Sequence, residues 1–436
     1  MKQNSVLRTF AKYASLNVLG MIGLSCYILA DTFFVARGLG ADGLAALNLA
    51  IPIYSFIHGL GLMIGMGGAT RFSILHSQKN TVGGNKIFTQ SVQFALSISA
   101  VFVLVGLLLA GPLTSLLGAN ESIHSMTCIY LRVILLFAPM FMLNNVMLCF
   151  VRNDGNPNLA MMAMLGGSLS NIILDYVFIF PFGMGMFGAV LATGLAPIIS
   201  LLMLLHHFIK RKNAFHLIKV KLTSHASKDI SALGLSSLIT EISSGIVMIV
   251  FNSIILRLNG NIGVAAYGVI ANLSLVVVAI FTGIAQGIQP IISRNYGSGN
   301  NDNVKKTYRY ALVTSTTCSA IIYTVFALFA APIIGVFNRD NSAELLSIAS
   351  SGIYLYFTAF FFVGINVITA VYFSSAAKPK PSFLISILRG CVIIIPMAFL
   401  LSASFDMTGV WLAFPVTEAL TTGIIIWLKR RSTATK

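Results

Sequence analysis

Four carboxylates fall inside long apolar stretches of this chain: Asp31 in LSCYILADTFFVARG, Asp175 in SNIILD, and Glu241 and Glu418 further on. A carboxylate at the centre of a membrane helix costs about 2.5–3.5 kcal/mol, so such residues usually face an internal cavity and serve passage across the membrane. Asp31 and Asp175 have polar company of a defined kind. Asn171 lies four residues before Asp175, one turn away on the same helical face, and Thr193 falls at a matching depth in the next apolar run. All four lie about five to ten residues from one end of their runs, or roughly 7–15 Å beneath one membrane surface at 1.5 Å per residue. Two carboxylates, an amide and a hydroxyl at one level are oxygen ligands of the kind a small hard cation takes. The carboxylates would equally make a dyad that holds a proton, because like charges in an apolar pocket disfavour double ionisation. The expectation is that Asp31, Asn171, Asp175 and Thr193 converge in one cavity.

Other polar or adaptable side chains carry less. Glu241, near mid-depth, is a candidate contact for a substrate or a second cation, and Glu418 a partner for a polar neighbour. His58 reads as a hydrogen-bonded packing residue. Gln286 and Gln289 either line a cleft or bond between helices. Tyr27, Met63, Met66 and Phe178 are candidates for an apolar wall that adapts to varied ligands. The other eight acids, Asp340 among them, fall in loops or at the ends of apolar runs.

These residues need helices to position them. The chain is 57% hydrophobic and 9% charged, with a mean hydropathy of +0.88, whereas a water-soluble domain needs about 25% charged residues to cover its surface. Apolar runs long enough to cross about 30 Å of hydrocarbon recur throughout. Twelve spans are expected, at about 14–36, 44–69, 92–112, 127–150, 158–181, 186–208, 232–257, 263–290, 308–333, 346–374, 380–404 and 408–429. The fold class is therefore an all-α polytopic membrane protein. The first run contains Asp31 and continues into a loop, so it reads as a first spanning helix rather than a secretion signal.

The net charge of +16 follows the same plan. With both termini cytoplasmic, 24 of the 28 basic residues fall at the inner side, and only Arg37, Arg132, Arg257 and Arg339 fall outside it. This is the positive-inside bias of a multi-pass protein of the cell membrane, so the charge reports topology and implies no nucleic-acid partner. Arg132 and Arg389 come nearest to lying within a span, and none of the basic residues is expected at mid-depth. All five cysteines lie in apolar spans without a CxxC pair and read as small buried hydrophobes.

The chain is also doubled. ADGLAAL (41–47) corresponds to NIGVAAY (261–267), AGPLTSLLG (110–118) to AAPIIGVFN (330–338), and GAVLA (188–192) to GVWLA (409–413), all at an offset near 220. Asp31 corresponds to Asn252, and Phe414 stands where Thr193 would recur, so the ion chemistry is expected in the first half alone. Four matches in order indicate an internal duplication. Six spans per half give parallel repeats related by an axis along the membrane normal, with a cleft between them. The expected units are an N-terminal six-helix lobe (1–209), a basic cytoplasmic linker (210–231) and a C-terminal six-helix lobe (232–436).

Several signals fail. GMGMFG (183–188) matches GxGxxG, but no strand precedes it. No GxxxxGK[ST], HExxH, GxSxG or Arg ladder occurs, which leaves enzyme, ATPase and voltage-sensor readings without support. The stretch around and after Asp31, TFFVARGLGADGLAALNLAIP (32–52), then RNDGNPNLAM (152–161), SNIILD (170–175) and GIAQGIQPIISRNYGSGN (283–300), resemble the motifs of the multidrug and toxic compound extrusion (MATE) transporters. The likeness runs over about 10–430. It implies a secondary active efflux transporter, not an enzyme. Such a protein exchanges H⁺ or Na⁺ for organic, often cationic compounds by alternating access, with no cofactor beyond the coupling ion and a monomer as the working unit. It also implies that Asp31, Asn171, Asp175 and Thr193 match a cation site, Na⁺ included, and that Glu241 matches a further acid. Some members bend the first helix at a proline; none occurs in 14–36, although Gly20 and Gly23 would permit bending. The alternative is a flippase for a lipid-linked or polysaccharide precursor on the same scaffold, which would line its cleft with basic residues. A non-transporting receptor has no use for the buried acids.

Overall fold

The computed structural model describes residues 3–338 and 342–434, so Arg339 and Asp340 lie outside the described residues. Among the described residues the fold is helical: α1 (Gln3–Ser77), α2 (Thr81–Leu108), α3 (Ala110–Leu116), α4 (Glu121–Leu136), α5 (Ala138–Asn153), α6 (Pro157–Ile179) and α7 (Gly185–Ile209) form the first half. The second half comprises α8 (Ser224–Gly297), α9 (Asn301–Leu328), α10 (Ala330–Gly335), α11 (Ala343–Tyr356), α12 (Phe360–Ser375), α13 (Pro379–Ile387) and α14 (Ile394–Ala434). A π turn, Leu388–Val392, precedes α14. Eight helical stretches are long and apolar enough to span a membrane, and α4 with α5, bent by 48°, makes a ninth. Three of these contain a non-helical break, at Gly40, Gly260 and Phe405–Asp406, and so cross twice. The result is the expected twelve crossings.

The duplication is visible in the backbone. Gly40 (φ 68°, ψ −158°) and Gly260 (φ 58°, ψ −151°) break α1 and α8 at equivalent points, 220 residues apart. That conformation is essentially reserved for glycine, since a Cβ would clash with the backbone. α2 and α9 have equal lengths of 28 residues and begin after Asn80 and Asn300, whose side chains each accept from an amide three residues on. Such caps also explain why the helices outrun the apolar stretches. Asn80, Asn120, Asn156, Thr223, Asn300 and Ser342 start helices beyond the hydrocarbon, where hydropathy is silent.

The interior divides into two large apolar clusters. One is built from residues between Val35 and Phe215 together with Ile230 near the start of α8. The other takes residues 251–413 together with Phe10, Tyr13 and Ala14 at the start of α1. The halves meet where glycines allow backbones to touch. A Cβ at Gly67 would overlap the Ile230 carbonyl, one at Gly234 the Met63 carbonyl, and ones at Gly283 and Gly287 the backbone of Val18 and Ala14. All of these approaches lie toward the end of the bundle that carries the interval between α7 and α8. Small residues let helices pack by close van der Waals contact where lipid supplies no hydrophobic drive.

The interval between α7 and α8, residues 210–223, is a strap laced to the first half. Phe215 is buried among Phe72, Phe88, Phe150 and Phe208. The amides of Ala214, His216 and Ile218 donate to Asp154 Oδ2 (2.8 Å), Asn85 Oδ1 (2.9 Å) and Thr89 Oγ1 (3.1 Å). Gln93 and Gln90 donate to the carbonyls of Val220 (2.7 Å) and Lys221 (3.1 Å). Gly234→Val should drive α1 and α8 apart at their closest crossing, at a cost on the order of 1–3 kcal/mol typical of overpacking. Thermal unfolding in detergent is expected to show a lowered midpoint, whereas Gly245→Val, where a Cβ meets open space, should leave it unchanged.

Candidate functional site

Close helix approaches bring the predicted polar set together. Gly23 abuts Leu165 and Gly20 abuts Met164, drawing α1 onto α6, while Gly167 lies against Ala196 and Ser200 of α7. The first crossing of α1 is helical throughout, and its glycines serve this packing. Asp31, Asn171, Asp175 and Thr193 are all buried. The carboxyl groups of Asp31 and Asp175 lie next to one another. With its nitrogen turned to the acid, the Asn171 amide donates to Asp175 Oδ2 (3.0 Å) and accepts from the Thr193 backbone amide (3.2 Å). Tyr130 meets the Thr193 hydroxyl. Oδ1 of Asp31 and Oδ1 of Asp175 are each buried without a donor. Tyr130 escaped the sequence reading because a tyrosine among apolar residues carries no spacing signal.

A narrow cavity of ≈ 80 Å³ runs beside this cluster. Every lining residue except Gln286 comes from the first half. Here the expectation needs correction: Thr193 and Tyr27 line the cavity, but neither Asp31 nor Asp175 does. The acids sit behind that boundary, because Asp31 is one turn beyond Tyr27 and Asp175 faces Asn171 within the α6–α7 contact.

The polar set continues toward the second half. The hydroxyls of Tyr27 and Tyr54 hydrogen-bond at 2.8 Å, Tyr54 stacks on His58, and His58 Nδ1 lies 3.6 Å from Glu241 Oε2. His58 therefore does more than pack, since it pairs with the acid of α8. The supposed apolar wall is dispersed. Tyr27 lines the cavity, whereas Met63 packs at the crossing with Gly234, Met66 touches Arg152, and Phe178 stacks on Phe182 near the α6–α7 turn. Gln286 both lines the cavity and bonds between helices. Gln289 only bonds, donating to Thr70 Oγ1 (2.9 Å) and Asn153 Oδ1 (3.1 Å) and accepting from Asn153 Nδ2 (2.8 Å).

Two basic residues are more enclosed than hydropathy suggests, Arg152 buried and Arg389 half-buried. Arg152, read as an inner-side residue after a span ending at 150, is 2% exposed and lines the cavity. α5 runs on to Asn153, and the capping residue that restarts the chain is Asn156. Arg389 donates to both oxygens of Glu418, at 2.7 Å to Oε1 and 3.3 Å to Oε2, and Asn366 donates to Oε2 at 2.6 Å. Glu418 thus has the polar partner expected of it. Phe414, opposite the position of Thr193, stacks on Tyr356, so the second half holds an ion pair and an aromatic face where the first holds two acids.

The family model MatE matches residues 18–177 and 236–400. This chain belongs to the MatE family. It is 25% identical over 434 residues to "Multidrug export protein MepA" of Staphylococcus saprophyticus, covering 98% of this chain and 95% of that one. Among solved structures, a MATE in complex with MaL6 matches with a TM-score of 0.92 and 24% identity, covering 100% of this chain and 99% of that chain. An outward-facing conformation of a multidrug resistance MATE family transporter of the MOP superfamily matches with a TM-score of 0.92 and 24% identity, covering 100% and 98%. The fold of this MatE protein is that of a transporter, not an enzyme. Within its second half, Arg389→Met strands the Glu418 charge in an apolar interior, at a cost of about 3–5 kcal/mol. Unfolding by denaturant should register this loss, and the double variant Arg389→Met/Glu418→Met should recover most of it.

Proposed function

We propose that this protein is a secondary active exporter that exchanges H⁺ or Na⁺ for small organic, chiefly cationic compounds by alternating access. The observation that carries the reading is the contact between the Asp31 and Asp175 carboxyls, with one buried oxygen on each lacking a donor. Two such groups in an apolar interior attract a positive partner between them, either a proton or a small cation. The Asn171 amide already holds Asp175 Oδ2, and its oxygen is tied to the Thr193 backbone amide, so the acids are held in place for such a partner. An organic cation and the coupling ion then compete for one negative charge, directly or through movement of the first helix, and that competition produces exchange. Family membership and the name of the staphylococcal relative, a multidrug export protein, support the same reading.

The cavity of ≈ 80 Å³ is small beside the roughly 300–1,000 Å³ of sites that hold drug-sized ligands, so the state that takes substrate is wider. The glycine crossings and the Thr70–Asn153–Gln289 bonds close the halves against each other at the strap end. Opening from the opposite end exposes the cavity to the other side as lobes 1–209 and 232–436 rock about the linker 210–231. The basic bias assigns the strap end and both termini to the cytoplasm of a cell-membrane protein. The acids and cavity belong to one chain, in keeping with a working monomer. Among the described residues Arg152 is the lone Arg or Lys lining the cavity, too little positive charge to hold a diphosphate, which disfavours the flippase.

Asp31→Asn keeps the side chain's shape and removes its charge. In vesicles with an imposed H⁺ or Na⁺ gradient, efflux of a fluorescent organic cation should fall at least about tenfold, the equivalent of 1.4 kcal/mol. Efflux at the wild-type rate would move the coupling site elsewhere, with Glu241 the next acid to test.

A further inference from the structure

Arg152 occupies the floor of the cavity with its hydrogen-bonding capacity unevenly used. Nη1 donates to Asn17 Oδ1 at 2.6 Å and to Gln286 Oε1 at 2.7 Å, one partner from each half. Nη2 meets only sulfur, Met66 Sδ at 3.5 Å and Cys149 Sγ at 3.4 Å. Nε is buried and has no acceptor. Nε and Nη2 carry the parallel N–H groups along one edge of the guanidinium, the edge that takes an anion side-on. Among the described residues no carboxylate lies within ion-pair distance of it: the acids form their pairs with His58, Arg71, His207 and Arg389. A guanidinium cannot shed its charge as a lysine can, and an unpaired buried ion is strongly destabilising. Sulfur and amide oxygen leave that charge uncompensated.

We propose that the Nε–Nη2 edge of Arg152 is a binding site for a monovalent anion, either chloride or the carboxylate of an amphoteric substrate. The surroundings suit this chemistry. Asn17 and Gln286 pin the opposite side of the guanidinium and fix its plane, while Cys149 and Arg152 both line the cavity. In the present state Nε is buried and Nη2 rests on Met66 and Cys149, so either anion reaches this edge as those side chains move aside in the wider state. Tyr27 and Tyr54 lie at the other end, next to the paired acids. A compound bearing both an amine and a carboxylate can then span a charge pattern complementary to its own. The anion site stands without the transport reading, and only its use by a substrate rests on that reading.

The test is thermal unfolding of the purified full chain at constant ionic strength, with gluconate replaced stepwise by chloride or bromide. Binding to the folded state alone raises the midpoint in a saturable way. We expect that rise in the wild-type protein, its loss in Arg152→Gln, and a curve shifted about tenfold toward higher halide in Arg152→Lys, which keeps the charge but not the fork. The lysine variant guards against misfolding of the glutamine one. A second arm adds an amphoteric compound or its methyl ester. Displacement of halide by the acid and not the ester assigns the site to substrate carboxylates, and displacement by neither assigns it to inorganic anion. A midpoint that does not respond to halide, or responds equally in the wild-type protein and both variants, overturns the proposal. The titration needs no transport, so it reads separately from the dye-efflux assay on which the exporter reading stands.

Discussion

Placing an ionised group away from water costs several kcal/mol unless a partner of opposite sign goes with it, and among the described residues three such places contrast in kind. Each is handled differently. Arg389 and Glu418 neutralise one another with Asn366 as a third member, an arrangement that holds the second half in one packing. Asp31 and Asp175 bring two carboxyl groups together, an arrangement that disfavours ionisation of both at once. Arg152 is held by neutral acceptors. A closed ion pair has nothing left to exchange, whereas Arg152 lines the cavity and the two acids lie just behind it, next to Tyr27. The asymmetry between duplicated halves is thus chemical, while their backbones have stayed alike.

Much of the architecture could be read from residues alone, because hydrocarbon imposes a length and a polarity on anything that crosses it. The spans, the repeat and the convergence of Asp31, Asn171, Asp175 and Thr193 all follow from period and depth. Depth, however, says nothing of which side chain faces which space. It put Met63, Met66 and Phe178 with Tyr27, although their helical faces point to different neighbours, and it put the acids inside a cavity that ends at Tyr27 and Thr193. Hydropathy also misjudged Arg152, because its helix continues past the apolar run until Asn156 caps the next one. Tyr54, Tyr130 and His58 join the site through aromatic stacking and hydrogen bonds across distant segments, and such pairings leave no local trace in composition.

The strap between α7 and α8 constrains how the halves can move. Its backbone is bonded to α2 as far as Lys221, Phe215 is sunk into the aromatic cluster, and α8 begins at Ser224. Thr223, the capping residue, also accepts from Gln90 at 3.4 Å. Almost no slack chain separates the first half from the start of α8. Sliding one half past the other by a helical turn, about 5.4 Å, would need several free residues of extended chain and would unseat Phe215. Rotation about the few backbone bonds near Thr223 needs neither. The covalent link therefore acts as a swivel: it permits tilting and forbids piston-like travel, and the axis of any tilt must pass close to the strap.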